Sequence, residues 1–315
     1  MKSKDPSVRR WSPVWGVVFS FLVVLGAPPV HAAGDEDREG TSHPNPLLRR
    51  LLTDGVRLDA ETVVTPDRPR MTAAETAAGR REAVERAAGR YGWDAFVRPS
   101  VVAPFSLQIS AVRSADDRRI GHRLDLAFVA YAELSDLRDR DLLTRIAESL
   151  RDREAAAEGG EVLGDQALAD AGVETLRGPG VTQRFVSGSF ALMDRVRVRG
   201  VIHVVEAFSE DSLSVVWELD ERFGSTGDDR NVWQSIGRDR LGGREYGPEK
   251  PYRGHAGYIQ ATRLEEPAGA LFIESWVVLH EPEAWFAGGN LLRSKLPVAT
   301  QQSVRQLRRE LASER

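Results

Sequence analysis

The chain has 315 residues, 41% hydrophobic and 29% charged, with a formal net charge of −4 at pH 7, an ordinary globular composition that excludes a chain disordered throughout. It contains no cysteine, which removes disulfide frameworks, thiolate nucleophiles and a lipid-modified amino-terminal cysteine. Its 43 Lys and Arg residues stand against 47 Asp and Glu, so there is no basic excess of the kind that neutralises phosphates, and nucleic acid is not an expected partner.

Lys2, Lys4, Arg9 and Arg10 precede an apolar run from Trp11 to Ala27, followed by Pro28-Pro29-Val30-His31-Ala32-Ala33. A charged region, an apolar region and a small-residue cleavage site in that order predict a signal peptide over residues 1–32, cut after Ala32, and an exported protein, periplasmic or extracellular. Cleavage removes four cations and one acid, Asp5, taking the formal charge from −4 to −7. The alternative is an uncleaved segment anchored in the inner membrane, although Pro13 and Pro28-Pro29 interrupt a span that needs about 20 residues. Residues 33–70 read as a largely disordered polar leader, because Gly34 to Pro46 is polar and full of breakers. Within it, Leu47 to Leu52 suggests one short amphipathic turn. Residues 71–315 then make one domain of about 245 residues, within reach of a single large core that needs no covalent staple.

Thr72-Ala-Ala-Glu75 has the capping-box spacing and opens a predicted helix to about Arg90. Phe105, Leu107, Ile109 and Ala111 alternate with polar residues, and His122 to Leu134 places Leu124, Leu126, Phe128, Ala130 and Ala132 on one face, predicting two strands joined at Asp116-Asp117. Ser135 caps a further predicted helix through Leu143, Ile146 and Leu150, and a short helical turn follows near Asp165 to Ala171. Thr182 to Leu192, Asp194 to Phe208 and Leu213 to Asp220 read as a meander, with Gly200 marking a kink or bulge. Arg222 to Pro251 is a long loop carrying Trp233, with a short helix expected near Asn231 to Arg238. Ala256 to Leu264 and Gly269 to His280 form a last hairpin. The terminal helix is expected to start at Pro297, with Leu296, Thr300, Val304, Leu307 and Leu311 as its apolar stripe.

There is no G-x-S-x-G elbow, P-loop, G-x-G-x-x-G fingerprint or H-E-x-x-H pair. The six histidines are scattered without metal-ligand spacing, so neither a metal nor an organic cofactor is expected. On the last strand Phe272, Glu274, Trp276, Val278 and His280 share one face, and Leu271, Ile273, Ser275, Val277 and Leu279 share the other. If the mixed face lines a cavity, Glu274 orients a polar head and Trp276 packs on an apolar body. If it is an outer face, Glu274 instead pairs with a neighbouring arginine. Glu274 and His280 are some 20 Å apart by strand rise, too far to act as a direct dyad. Trp285-Phe286, before Gly288-Gly289, reads either as a cover for a cavity mouth or as a plug under the terminal helix.

The order helix, two strands, helices, meander, final hairpin and long helix resembles the helix-grip fold of the steroidogenic-acute-regulatory-protein-related lipid-transfer (START-like) family. The resemblance covers Thr72 to Leu311 and is carried by that order and by the Tyr258 to Leu311 segment, with Gly289-Asn-Leu-Leu-Arg-Ser-Lys-Leu-Pro297 ahead of the last helix. It implies an α+β fold in which a curved antiparallel sheet of about seven strands grips the carboxy-terminal helix around a tunnel for lipid or another hydrophobic molecule. The functional expectation is an exported binding protein for such a ligand, in contact with Trp217, Trp233, Glu274, Trp276 and Trp285, with a membrane surface as a further partner. The alternatives are an enzyme of the same fold using cavity carboxylates such as Glu218 or Glu274, or a non-catalytic envelope protein whose interior is packed solid.

Overall fold

The computed structural model describes residues 44–71, 76–139, 141–142, 160–173, 176, 180–223, 229–286 and 290–313. The expected signal peptide, the Thr72-Glu75 capping box, the helix through Leu143 to Leu150 and the Gly288-Gly289 pair lie outside these residues.

The chain folds as α+β around one antiparallel sheet. Seven long strands carry it: β3 (Phe105–Arg113), β4 (Arg119–Tyr131), β6 (Val181–Leu192), β7 (Val196–Phe208), β8 (Ser212–Leu219), β12 (His255–Arg263) and β13 (Ala270–His280). They stand in the order β6-β7-β8-β12-β13-β4-β3, so hairpins build each half and the last strand closes against the first hairpin. All seven coincide with runs of alternating or continuous apolar residues. Short strands complete the sheet: β5 (Glu161–Val162) beside β6, and β9 (Val232–Arg238), β10 (Arg244–Tyr246) and β11 (Lys250–Pro251) beyond β7.

The helix expected near Asn231 to Arg238 is therefore a strand, β9. One edge of β7 is shared: β8 pairs with Ile202 to Phe208 and β9 with Val196 to Arg199. Gly200 marks the changeover and not a bulge. The Asn231 side chain enters there, accepting from the Val201 amide at 3.0 Å and donating to the Asp220 carbonyl at 2.7 Å, and a Cβ on Gly200 would meet its Oδ1 at 2.2 Å. The register shift in the sheet lies between Val112 and Arg113.

One sheet face is covered by the terminal helix α5 (Asn290–Ser313), which follows the short helix α4 (Asp165–Asp170) in chain order. Leu292, Leu296, Ala299, Val304, Leu307 and Leu311 of α5 join Leu124, Phe128, Leu271, Ile273, Val277 and Leu279 in the largest core. The helix starts seven residues before the expected Pro297, which lies in its interior and cannot donate to the Arg293 carbonyl.

The opposite face is covered by the segment expected to be a leader. Helix α1 (Pro46–Asp54) buries Leu47, Leu48 and Leu51 against Val205, Val216, Tyr258, Trp276 and Val278. Asn45 makes the docking specific. Its Oδ1 accepts from the Leu47 and Leu48 amides at 3.1 and 3.2 Å, capping the helix, while its Nδ2 donates to the Val205 carbonyl at 2.9 Å. Strands β1 (Val56–Arg57) and β2 (Val63–Val64) then pair. Helices α2 (Ala77–Ala88, capped by Thr76) and α3 (Gly92–Phe96) pack with Met71 on Val129 and Phe272. The disorder expected up to residue 70 is thus corrected from Asn45 onward: four leucines in one short helix had a ready apolar surface to bury.

Trp217 in β8 lies across Gly257 in β12, where an added Cβ would meet the indole at 2.5 Å and the Trp276 carbonyl at 2.7 Å. A Gly257→Ala variant is expected to lose about 2 kcal/mol or more through overpacking, read as a lower urea midpoint with unchanged slope; an unchanged midpoint would contradict this packing.

Candidate ligand-binding cleft

The five residues expected to meet a ligand divide between the two sheet faces. Trp217, Trp233 and Trp285 belong to the core on the α5 side. The Trp285 ring lies 5.1 Å from Trp233 and 5.7 Å from Tyr252, and Phe286 meets it edge-on at 6.3 Å. All four rings are buried, so Trp285-Phe286 is the plug of the two alternatives. Glu281 fixes that turn by accepting from the Phe286 amide at 3.1 Å, beside His122 at 2.8 Å and Arg119 at 3.1 Å. Burial alone would push the Glu281 carboxyl up, yet the hydrogen bonds from His122 and the Phe286 amide and the charge of Arg119 hold it below the usual range.

Glu274 and Trp276 lie on the other face, which corrects their placement between sheet and terminal helix. Period two gives β13 two apolar faces, and Leu271, Ile273, Val277 and Leu279 take the side of α5. Glu274, 2% exposed, accepts from the Arg70 and Met71 amides at 2.9 and 3.2 Å. Its register partner Gln260 donates to the Met71 carbonyl at 2.6 Å, and Tyr258, stacked on Trp276, donates to the Asp67 carbonyl at 3.2 Å. These side chains grip the main chain at 67–71. Glu218 is likewise occupied, paired with Arg50 of α1. Neither carboxylate is among the residues lining the cleft between β3 and α5.

Between β3 and α5 is a cleft of about 590 Å³, within the ~300–1,000 Å³ of small-molecule sites. Its floor is Phe105, Leu107 and Ile109, the inward row of β3, all half-buried. Its wall is one side of α5, from Arg293 through Pro297 and Gln301 to Arg305 and Arg308. At the rim Tyr91, Val102 and Val298 are 41%, 58% and 56% exposed, a cluster of large apolar side chains in solvent. The floor was visible in the alternation of β3. The wall was not, because attention to the apolar stripe of the helix hides the polar stripe beside it at steps of four, four, four and three residues.

His255 faces the α5-side core, its Nε2 accepting from Trp217 Nε1 at 3.3 Å, with Phe190 at 5.5 Å. Burial pushes the imidazole down to about 4, and His203 and His280 are also lowered by burial. No described helix is long and apolar enough to cross a membrane.

No family model matches the chain, and no curated protein matches it. Among solved structures it is similar to the human StarD13 (DLC2) lipid transfer and protein localization domain, at 12% identity and a TM-score of 0.34, over 67% of this chain and 86% of that one. The helix-grip reading of the fold rests on this chain's own strand order and on the packing of α5.

Two outcomes follow. Glu274→Ala strands two amides under 67–71 and is expected to cost about 2–3 kcal/mol, read by chemical unfolding, with faster proteolysis ahead of α2. Because the folded state keeps His255 neutral, the unfolded chain binds more protons between its ordinary 6.5 and about 4. Stability is therefore full above pH 6.5 and falls through that window as pH drops, by on the order of 3 kcal/mol for this group. His255→Gln should flatten the fall in urea midpoint; an equal slope in both proteins would refute the assignment.

Proposed function

We propose that the protein is a binding protein for a hydrophobic small molecule or lipid, held in the cleft between β3 and α5. The observation that carries this reading is the half-covered apolar floor of Phe105, Leu107 and Ile109 beneath a rim of exposed Tyr91, Val102 and Val298. Covering that surface with an apolar guest contributes roughly 25 cal/mol per Å², enough for useful affinity without any reaction. In this reading Trp217, Trp233 and Trp285 brace sheet against helix and do not touch the guest, and Glu274 and Trp276 serve the opposite face. Export is part of the proposal and is supported by the amino-terminal charge and apolar pattern through Ala32.

Native mass spectrometry of the exported protein is expected to show a chain beginning at Ala33 with a co-purifying hydrophobic compound. The uncharged dye Nile red should bind saturably, and Leu107→Trp, which fills the floor, should weaken it about tenfold or more, the loss of one well-packed apolar contact set. Repeated recovery of bare protein, with no dye uptake and no gain in melting temperature across a lipid panel, would end the proposal.

A further inference from the structure

Among the described residues the buried ions are Arg80, Arg184, Asp220, Glu274, Glu281 and Arg308. Five of them meet opposite charge or main-chain amides. Arg80 pairs with Asp211, Arg184 with Glu206, Asp220 with Arg222 and Glu281 with Arg119, while Glu274 accepts two amides. Arg308 is the exception. It is 6% exposed, and its hydrogen bonds go to the carbonyls of Val129 at 2.9 Å, Ala103 at 2.6 Å, Pro104 at 3.2 Å and, at 3.5 Å, Val101. Those carbonyls orient the guanidinium without neutralising it, and four donations leave one of its five N–H groups unspent. The Phe128 ring at 5.6 Å adds only a weak attraction. Burial accordingly pushes its acidity to about 10, still a cation at neutral pH.

This unneutralised cation borders the cleft, and it is not alone there. Arg305, half-buried, and Arg293, exposed, line the same wall. Neither forms an ion pair among the described residues, and the lining contains no carboxylate. Several arginines elsewhere are paired by the chain itself: Arg123 with Asp67 and Asp125, Arg238 and Arg244 with Asp194, Arg199 and Arg230 with Glu249. An apolar floor thus runs beside three cations for which no described residue provides a counter-charge.

We propose that the cleft selects an amphiphile with an anionic head, a long-chain carboxylate, whose chain lies on the β3 floor and whose head meets the α5 arginines. The inference rests on the binding reading above and adds the class of ligand. A buried cation without a partner is costly, and a guest carboxylate offsets that cost while the fork geometry of guanidinium favours it over a neutral head. The recessed, half-buried floor suits a single molecule taken into the fold, whereas flat docking on a membrane would reach only the rim.

The test compares the full exported protein with oleate, oleyl alcohol and acetate by calorimetry below the micelle concentration, and with phosphatidylglycerol vesicles by co-sedimentation. Oleate should bind about tenfold or more tighter than oleyl alcohol, the preference should shrink with salt, and acetate should not bind measurably. Arg293→Gln with Arg305→Gln, neither of which removes a hydrogen bond that holds the fold, should bring oleate down toward the alcohol while Nile red binding is retained. Equal affinity for oleate and oleyl alcohol overturns the anion selectivity and leaves the hydrophobic-ligand reading standing. Nile red binding without oleate binding has the same meaning. Vesicle binding that the double substitution abolishes, with no uptake of oleate, overturns it in favour of membrane docking. Failure of every probe removes the binding reading itself.

Discussion

Strand β13 sets the terms for the rest of the molecule. It pairs along its length with β12 on one edge and with β4 on the other, and residues on both of its faces are buried. A strand with apolar side chains on both faces is stable only if both faces are covered. The chain covers one with α5 and the other with residues 45–71 and helices α2 and α3. Neither cover is optional, since each removes large aromatic and aliphatic side chains from water at roughly 25 cal/mol per Å².

The covers are held in register by two carboxylates, one in the middle of that strand and one just past its end. Glu274, within β13, accepts the amides of Arg70 and Met71, and Glu281, just past its end, accepts the amide of Phe286. Each carboxylate is buried, and each holds main chain leading into a covering element. Charge-assisted bonds to main-chain amides are stronger than neutral ones and fix position as well as contributing energy. Hydrophobic burial decides that the faces are covered; these carboxylates decide where the covering chain lies. Glu281 also gathers His122 and Arg119, so the plug at Trp285-Phe286 is tied to β4 as well as to the strand it follows.

What was legible in the sequence was what is local. Period-two alternation over nine to thirteen residues marked β3, β4 and β7, because the face a side chain takes depends only on its neighbours in the chain. Which face of β13 meets α5 is not local, and with Leu271 and Phe272 equally apolar nothing in the pattern distinguishes the two. The role of Leu47, Leu48 and Leu51 was hidden for the same reason: the surface they bury, around Val205 and Val216, lies some 160 residues away. Trp233 and Ile236 stand three apart, a helical spacing, but the free edge of β7 beside Gly200 draws them into a strand. Pro297 is suited to a helix start, yet packing of Leu292 and Leu296 carries the helix back to Asn290. For the site, the floor could be read from β3 and the wall only in combination with it.

The cleft itself is a consequence of which residues α5 presents beside β3. A helix serving only as a cover would place a second apolar row over Phe105, Leu107 and Ile109, completing a broad stripe of the kind that buries a sheet face. Leu296, Val304, Leu307 and Leu311 do this over the neighbouring core. On the side of β3 the helix instead carries Arg293, Pro297, Gln301, Arg305 and Arg308, long polar chains and a ring that leave the floor half-covered. Arg308 then fastens the helix to the Ala103 and Val129 carbonyls, so that α5 is held over β4 without closing on β3. The opening is thus written into the helix as a polar row facing an apolar one, and it persists because the same row supplies the hydrogen bonds that keep the two elements in place.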